Sequence, residues 1–209
     1  RRPLQLAPGR APQEVIYLLR HGQTDYNAEG RLQGQLESTL TSLGEAQVQA
    51  MADLLKSEIG DLEGWRILAS PLKRTRQSAA IVSATLGLAV EIAPALIEVG
   101  CGAWEGELYA DLRVRAPEAF NAPDWFFQAP GGERFADMAA RIDPWFAGLP
   151  PEPERRLIVV CHGISGTFVR RAYLGLTEAE TIRQETPQDA IFRLAGGVSE
   201  RLACAPVAA

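Results

Sequence analysis

Apolar positions along the chain follow two rhythms. Val15-Ile16-Tyr17-Leu18-Leu19 and Leu157-Ile158-Val159-Val160-Cys161 are short and apolar on successive residues. Such runs predict strands buried on both faces, as in parallel sheets covered by helices. Arg66-Ile67-Leu68-Ala69-Ser70 and Val90-Glu91-Ile92-Ala93 predict two more strands. Ala190-Ile191-Phe192-Arg193-Leu194 and Arg201-Leu202-Ala203-Cys204 predict a closing hairpin that turns at Gly196-Gly197. Between these runs the spacing becomes helical. Leu43, Ala46, Ala50, Met51, Leu54 and Leu55 form one stripe, opened by Ser42 and Glu45 as a capping box and followed by Gly60. A second helix is predicted over 71–86, with Ser70 as N-cap, Pro71 at the first position, and Ala79, Ala80, Val82 and Leu86 facing inward. A third covers 165–174 and ends at Gly175.

Residues 107–150 differ in character. Prolines at 117, 123, 130 and 144 interrupt a segment rich in aromatic side chains, among them Trp125, Phe126, Phe127 and Trp145. This predicts a helical insertion over the sheet rather than a second domain. Its last helix follows Gly131-Gly132-Glu133 and is striped by Phe135, Met138, Ile142 and Phe146. The aromatics read first as packing. Neither an internal repeat nor a low-complexity tract is present.

The 209 residues are enough for one well-buried domain, and 46% hydrophobic with 22% charged residues is an ordinary globular composition. A net charge of -5 argues against a nucleic-acid footprint, and no apolar run approaches the roughly 20 residues that span a bilayer. Arg1 to Gln13, with Pro3, Pro8, Gly9 and Pro12, reads as an extended arm without the apolar core of a secretory signal; the arm is taken to cover 1–14. Cys101, Cys161 and Cys204 are odd in number and lack paired spacing, which points to a reducing, cytoplasmic setting. Cys161 reads as a small apolar residue at a strand end.

The chemistry lies where the buried strands stop. The chain has two histidines, His21 and His162; each directly follows an apolar run and each precedes a glycine. Ligands of open α/β sheets bind beyond the carboxyl ends of the strands. If the two strands are parallel neighbours, the imidazoles face each other across one pocket. Arg20 then supplies a fixed cation next to a nucleophilic ring, and a neighbouring guanidinium disfavours the charged imidazole. Arg74, in the first turn of a helix, opposes the helix dipole unless an anion is held there. The polar stretch from Asp25 through Asn27 to Gly30-Arg31-Leu32-Gln33-Gly34 reads either as a solvated turn or as a phosphate cradle. Two motifs fail: Glu105 breaks a dinucleotide fingerprint begun by Gly100 and Gly102, and Thr167 breaks a nucleophile elbow around Ser165.

Taken together, Arg20-His21-Gly22-Gln23-Thr24, Asn27, Gly30 to Gly34 and Leu40-Thr41-Ser42-Leu43-Gly44 closely resemble the signature of the histidine phosphatase superfamily, the phosphoglycerate-mutase-like enzymes of branch 1. Ser70-Pro71-Leu72-Lys73-Arg74-Thr75-Arg76, then Glu98 with Gly102-Ala103-Trp104-Glu105-Gly106, then Cys161-His162-Gly163 resemble its later motifs, in the right order from about residue 15 to 194. The resemblance implies a three-layer α/β/α sandwich: a mostly parallel mixed sheet in a single domain over 15–209, with a small helical insertion near 96–150. It implies a metal-independent phosphomonoester hydrolase, without cofactor, acting on a small phosphorylated metabolite. His21 would attack phosphorus and become a phosphohistidine. Arg20, Arg74 and His162 would hold the transferring oxygens, and Glu98 would serve as general acid and then base. Asn27, Gln33 and Gly34 would be further phosphate contacts.

Thr39 departs from the proline common before Leu40, Thr75 and Ser78 from the usual alanine and threonine, and Arg134 from a serine after Gly-Gly-Glu. None of these removes a catalytic group, and Arg134 and Arg31 become candidates for selecting the substrate. The competing readings are a mutase of the phosphoglycerate type, a non-catalytic phospho-ligand-binding module, and a metal site using His21 and His162. Partners are expected to be small phosphate esters, neither nucleic acid nor membrane, with a monomer or homodimer both open.

Overall fold

The computed structural model describes residues 15–150 and 154–207; the arm expected over 1–14 lies outside the described residues. The strands are β1 (Val15–Arg20), β2 (Arg66–Ala69), β3 (Val90–Ile92), β4 (Arg156–Cys161), β5 (Ala190–Ala195) and β6 (Val198–Ala203). They form a six-stranded sheet in the order β3-β2-β4-β1-β5-β6. The pairings β3·β2, β2·β4 and β4·β1 are parallel, and β5 runs antiparallel to both β1 and β6. The sheet is thus mixed and mostly parallel, as the continuous apolar runs imply.

Side chains alternate strictly across it. Ile16 and Leu18 of β1 join Leu157 and Val159 of β4 in one apolar cluster, while Tyr17, Leu19, Ile158 and Val160 join the other. The second cluster is completed by α2 (Ser42–Glu58) and α3 (Lys73–Leu86), which pack on each other. The first is completed by α7 (Gly163–Leu174) and by the insertion between β3 and β4. Where both faces are covered, as along β1 and β4, successive residues are apolar and buried, whereas the edge strands β3 and β6 are largely exposed and carry charged residues.

The insertion contains α4 (Tyr109–Arg115), α5 (Pro117–Phe120) and α6 (Phe135–Ala147), with 3-10 turns at Gly102–Trp104 and Trp125–Phe127. Trp104, Leu112, Phe120, Phe126, Phe127, Met138 and Ile142 share one core with the sheet. In α6, Met138 and Ile142 are buried, whereas Phe135 and Phe146 pack at its margin.

Several boundaries move. The N-cap of α2 is Thr41 rather than Ser42: its Oγ1 accepts from the Gly44 N–H at 3.1 Å and donates to Gln23 Oε1 at 2.8 Å. Helix α3 begins at Lys73, capped by Leu72 without a side-chain bond, because the Ser70 hydroxyl is drawn to His162 instead. Helix α7 starts at Gly163, two residues before the expected 165. The polar stretch after β1 holds a short helix, α1 (Asp25–Glu29), where Thr24 and Asn27 exchange side-chain and backbone bonds as a capping box. A last short helix, α8 (Glu178–Ile182), precedes the β5–β6 hairpin, whose Gly196 and Gly197 both adopt positive φ.

Candidate active site

Register brings the two histidines together. Arg20 lies opposite Cys161 in the parallel β1·β4 pair, and the His21 N–H donates to the Cys161 carbonyl at 3.1 Å. The next residues, His21 and His162, therefore leave adjacent strands side by side, and their ring centroids are 5.3 Å apart at 65°. Strand β2 ends beside them and passes into α3, which presents Arg74 in its first turn.

The turn after His21 admits only glycine. A Cβ on Gly22 would lie 2.1 Å from the Gly44 carbonyl oxygen, and one on Gly44 would lie 2.0 Å from that of Gln23. The chain leaving β1 thus rests directly on the start of α2.

Each ring has one defined tautomer. His21 Nδ1 lies 2.7 Å from the Gly22 carbonyl, which can only accept, so Nδ1 carries the proton and Nε2 keeps its lone pair. At His162 the logic reverses. Arg74 Nε, which can only donate, lies 3.1 Å from Nδ1, so Nε2 carries the proton and donates to the Ser70 hydroxyl at 2.6 Å. Burial, then the Arg74 and Arg20 guanidiniums, hold His21 well below the usual imidazole range. His162 is held down by burial, Arg74, His21 and Arg20. Both rings are neutral at neutral pH.

Arg74 is 1% exposed and tightly fixed: Nη1 donates to the Leu36 carbonyl and Nη2 to that of Gly34, each at 2.8 Å. Burial lowers its pKa to about 10, so it stays cationic under ordinary conditions. Arg20 Nη1 donates to the Thr186 carbonyl at 2.6 Å, while its buried Nε has no partner among the described residues. Glu98 accepts from the backbone N–H groups of Val99 at 2.9 Å, Ile164 at 3.1 Å and Ser165 at 2.9 Å, which anchors it over the start of α7.

These groups line a hollow of about 160 Å³ with His21, Asn27, Gln33, Gly34, Tyr109, Trp125 and Phe126 among its walls. The two amides are oriented alike. Asn27 Oδ1 accepts from Thr24 N–H at 3.2 Å and Gln188 Nε2 at 3.2 Å. Gln33 Oε1 accepts from Thr24 Oγ1 at 3.0 Å and Ser38 Oγ at 2.6 Å. With both oxygens occupied, their NH₂ ends remain as donors to the hollow. Gly34 has φ +51°, and a Cβ there would meet Glu105 Oε1 at 2.2 Å. The hollow therefore combines two guanidiniums, two amide donors, a carboxylate and an imidazole lone pair, a set suited to receiving an oxyanion beside a nucleophile.

His162 is buried beside His21 rather than lining the hollow, and both its nitrogens are engaged by Arg74 and Ser70. Arg31 and Arg134 turn elsewhere, to Glu29 and to the Phe127 carbonyl. The Cys161 thiol is buried and pushed up to about 12, so it acts as core and not as a nucleophile. Trp125 and Phe126 both pack and face the hollow, whereas Phe127 packs in the core. Sequence reasoning missed Gln188, whose Nε2 also donates to the His21 carbonyl at 3.1 Å, and Tyr109; neither sits in a recognisable motif. It noticed Ser70 but assigned it to a helix cap.

The chain matches known proteins in sequence and in fold. Residues 16–196 match the family model of the histidine phosphatase superfamily, branch 1. A glucosyl-3-phosphoglycerate phosphatase of Mycobacterium tuberculosis is 36% identical over 159 residues, covering 71% of this chain and 70% of that one. A probable phosphoglycerate mutase of Enterobacter sp. (strain 638) is 32% identical over 168 residues, covering 77% of this chain and 75% of that one. The structure of a mycobacterial glucosyl-3-phosphoglycerate phosphatase in complex with VO3 aligns at a TM-score of 0.75 and 32% identity, over 91% of this chain and 96% of that one. The chain belongs to the histidine phosphatase superfamily, branch 1.

Proposed function

We propose that this histidine phosphatase hydrolyses small phosphomonoesters through a phosphohistidine on His21, without a metal. The observation that carries the reading is the His21 tautomer: the Nδ1–H bond to Gly22 leaves the Nε2 lone pair available, next to two guanidiniums. In the first step Nε2 attacks phosphorus, the ester P–O bond breaks, and the leaving oxygen takes a proton from Glu98. The Nδ1–H bond to the Gly22 carbonyl shares the positive charge that develops on the ring. In the second step water attacks phosphorus, the P–N bond breaks, and the water proton passes to Glu98, restoring both groups.

Arg20, Arg74 and the amide ends of Asn27 and Gln33 bind the equatorial oxygens, together with the Gly34 backbone. Pre-placed guanidiniums supply the positive charge that a metal would otherwise bring. His162 acts through its bonds, setting Arg74 and packing against His21. The reading places the protein in a reducing cytoplasm, which its three free thiols support, two of them buried. No helix among the described residues is long and apolar enough to cross a membrane.

The test is phosphate release from p-nitrophenyl phosphate with and without EDTA. Activity should survive the chelator and disappear in His21→Ala, and rapid acid-free quenching should trap a phosphohistidine on the native protein. Activity lost to EDTA, or retained by His21→Ala, overturns the proposal.

A further inference from the structure

Much of the lining of the hollow is uncharged: Leu32, Val99, Tyr109, Trp125, Phe126 and Ile164 all contribute to it. The charged residues lining it are Arg20, Arg74 and Glu98, and these interact with one another beside His21.

The insertion holds four arginines, Arg113, Arg115, Arg134 and Arg141, and all are committed elsewhere. Arg115 pairs with Glu107 at 3.4 Å, and Arg141 pairs with Glu133 at 3.0 Å. Arg134 donates to the Phe127 carbonyl, and Arg113 lies over the Phe120 ring at 5.5 Å from its centroid. Arg31, which precedes the insertion, donates to Glu29 at 2.7 Å and to the Gly106 carbonyl at 2.8 Å. None of these five lines the hollow.

A substrate bearing a second phosphate or a carboxylate would therefore set that anion against indole and phenyl rings with no cation to pair it. An unpaired anion moved out of water is strongly disfavoured. Ring faces, by contrast, find a surface there. Trp125 stands 5.6 Å from Phe126 and 5.8 Å from Tyr109, both nearly edge-on, so the wall is a fixed aromatic corner. The Tyr109 hydroxyl has no hydrogen-bond partner among the described residues, which leaves it free for one polar substituent.

We infer, resting on the phosphatase reading above, that the site selects phosphomonoesters of uncharged, ring-bearing alcohols. The ring lies against Trp125 and Phe126, and esters carrying a second anionic group are disfavoured.

Steady-state kinetics on alkyl esters test this without the bias of a reactive aryl leaving group. For the native protein, kcat/KM for 2-phenylethyl phosphate should exceed that for glycerol 3-phosphate by about tenfold or more, the worth of burying a ring. It should exceed that for 3-phosphoglycerate by about a hundredfold, as an unpaired carboxylate demands. Trp125→Ala should bring the first ratio to within a few-fold of one. Trp125→Leu is the substitute if the alanine variant does not fold, and the native panel stands independently of both. Turnover of 3-phosphoglycerate equal to or faster than 2-phenylethyl phosphate overturns the inference and leaves the phosphatase reading intact. No phosphate release from any ester, with no phosphohistidine trapped, overturns the phosphatase reading itself.

Discussion

Replacing Arg74 with methionine separates three jobs that one side chain performs. The guanidinium donates to the carbonyls of Gly34 and Leu36 and to His162 Nδ1. Removing it leaves these acceptors short of a donor, at about 1–3 kcal/mol for each that stays buried and unpaired. Part of that is returned, because the guanidinium is itself held at a pKa of about 10 by burial, and a methionine needs no hydration. A net destabilisation of about 2–4 kcal/mol follows, measurable by urea unfolding.

The effect on catalysis is larger. Loss of one pre-placed oxyanion donor costs about 10²- to 10³-fold in kcat. The most specific readout is pH. Arg74 is the strongest of the charges that hold His21 down, second to burial. Without it the protonated ring is less disfavoured and the pKa of His21 rises. Since only the neutral ring attacks, the acid limb of kcat/KM must move to higher pH. Profiles from about pH 4.5 to 8 for both proteins with one substrate isolate the shift, because the substrate's own ionisation is common to both. A folded variant whose acid limb stays in place, or moves to lower pH, refutes this electrostatic account of His21.

Glu98→Gln keeps the shape of the side chain but cannot donate or take a proton, so kcat should fall by about 10²- to 10⁴-fold, with phosphohistidine still trappable from an activated aryl ester. Gly22→Ala places a methyl group 2.1 Å from the Gly44 carbonyl oxygen, so the melting temperature should drop sharply and activity with it; a native-like melting curve contradicts the packing described here. The native protein should lose stability as pH falls below the ordinary imidazole value of 6.5, because the unfolded chain takes up protons that buried His21 and His162 refuse. Each contributes a slope of about 1.4 kcal/mol per pH unit down to its folded pKa, after which its loss is complete; denaturant titrations from about pH 7.5 to 5 would show it. In His162→Gln part of that slope should vanish.

The legible part of this protein was local and repetitive. A strand buried on both faces must be apolar at every position, so β1 and β4 announce themselves, and the residue after each is where a parallel sheet presents its chemistry. That is why His21, Arg20 and His162 could be picked out from residue order; Arg74 stood out as a cation at the start of a helix, and Glu98 followed from family motifs. What the linear order could not decide was which partner each polar group would take. Ser70 looks like a helix cap next to Pro71, yet it faces His162, 92 positions away. Thr41 rather than Ser42 caps α2, because the chain after His21 approaches closely enough to claim its hydroxyl. The aromatics of the insertion show the same limit. Trp125 and Phe126 carry a packing signal in the sequence, and only the fold of the insertion over the strand ends makes them walls of the hollow. Burial along a strand is written in neighbouring residues, whereas a hydrogen bond or a pocket wall joins residues that only tertiary folding brings into contact.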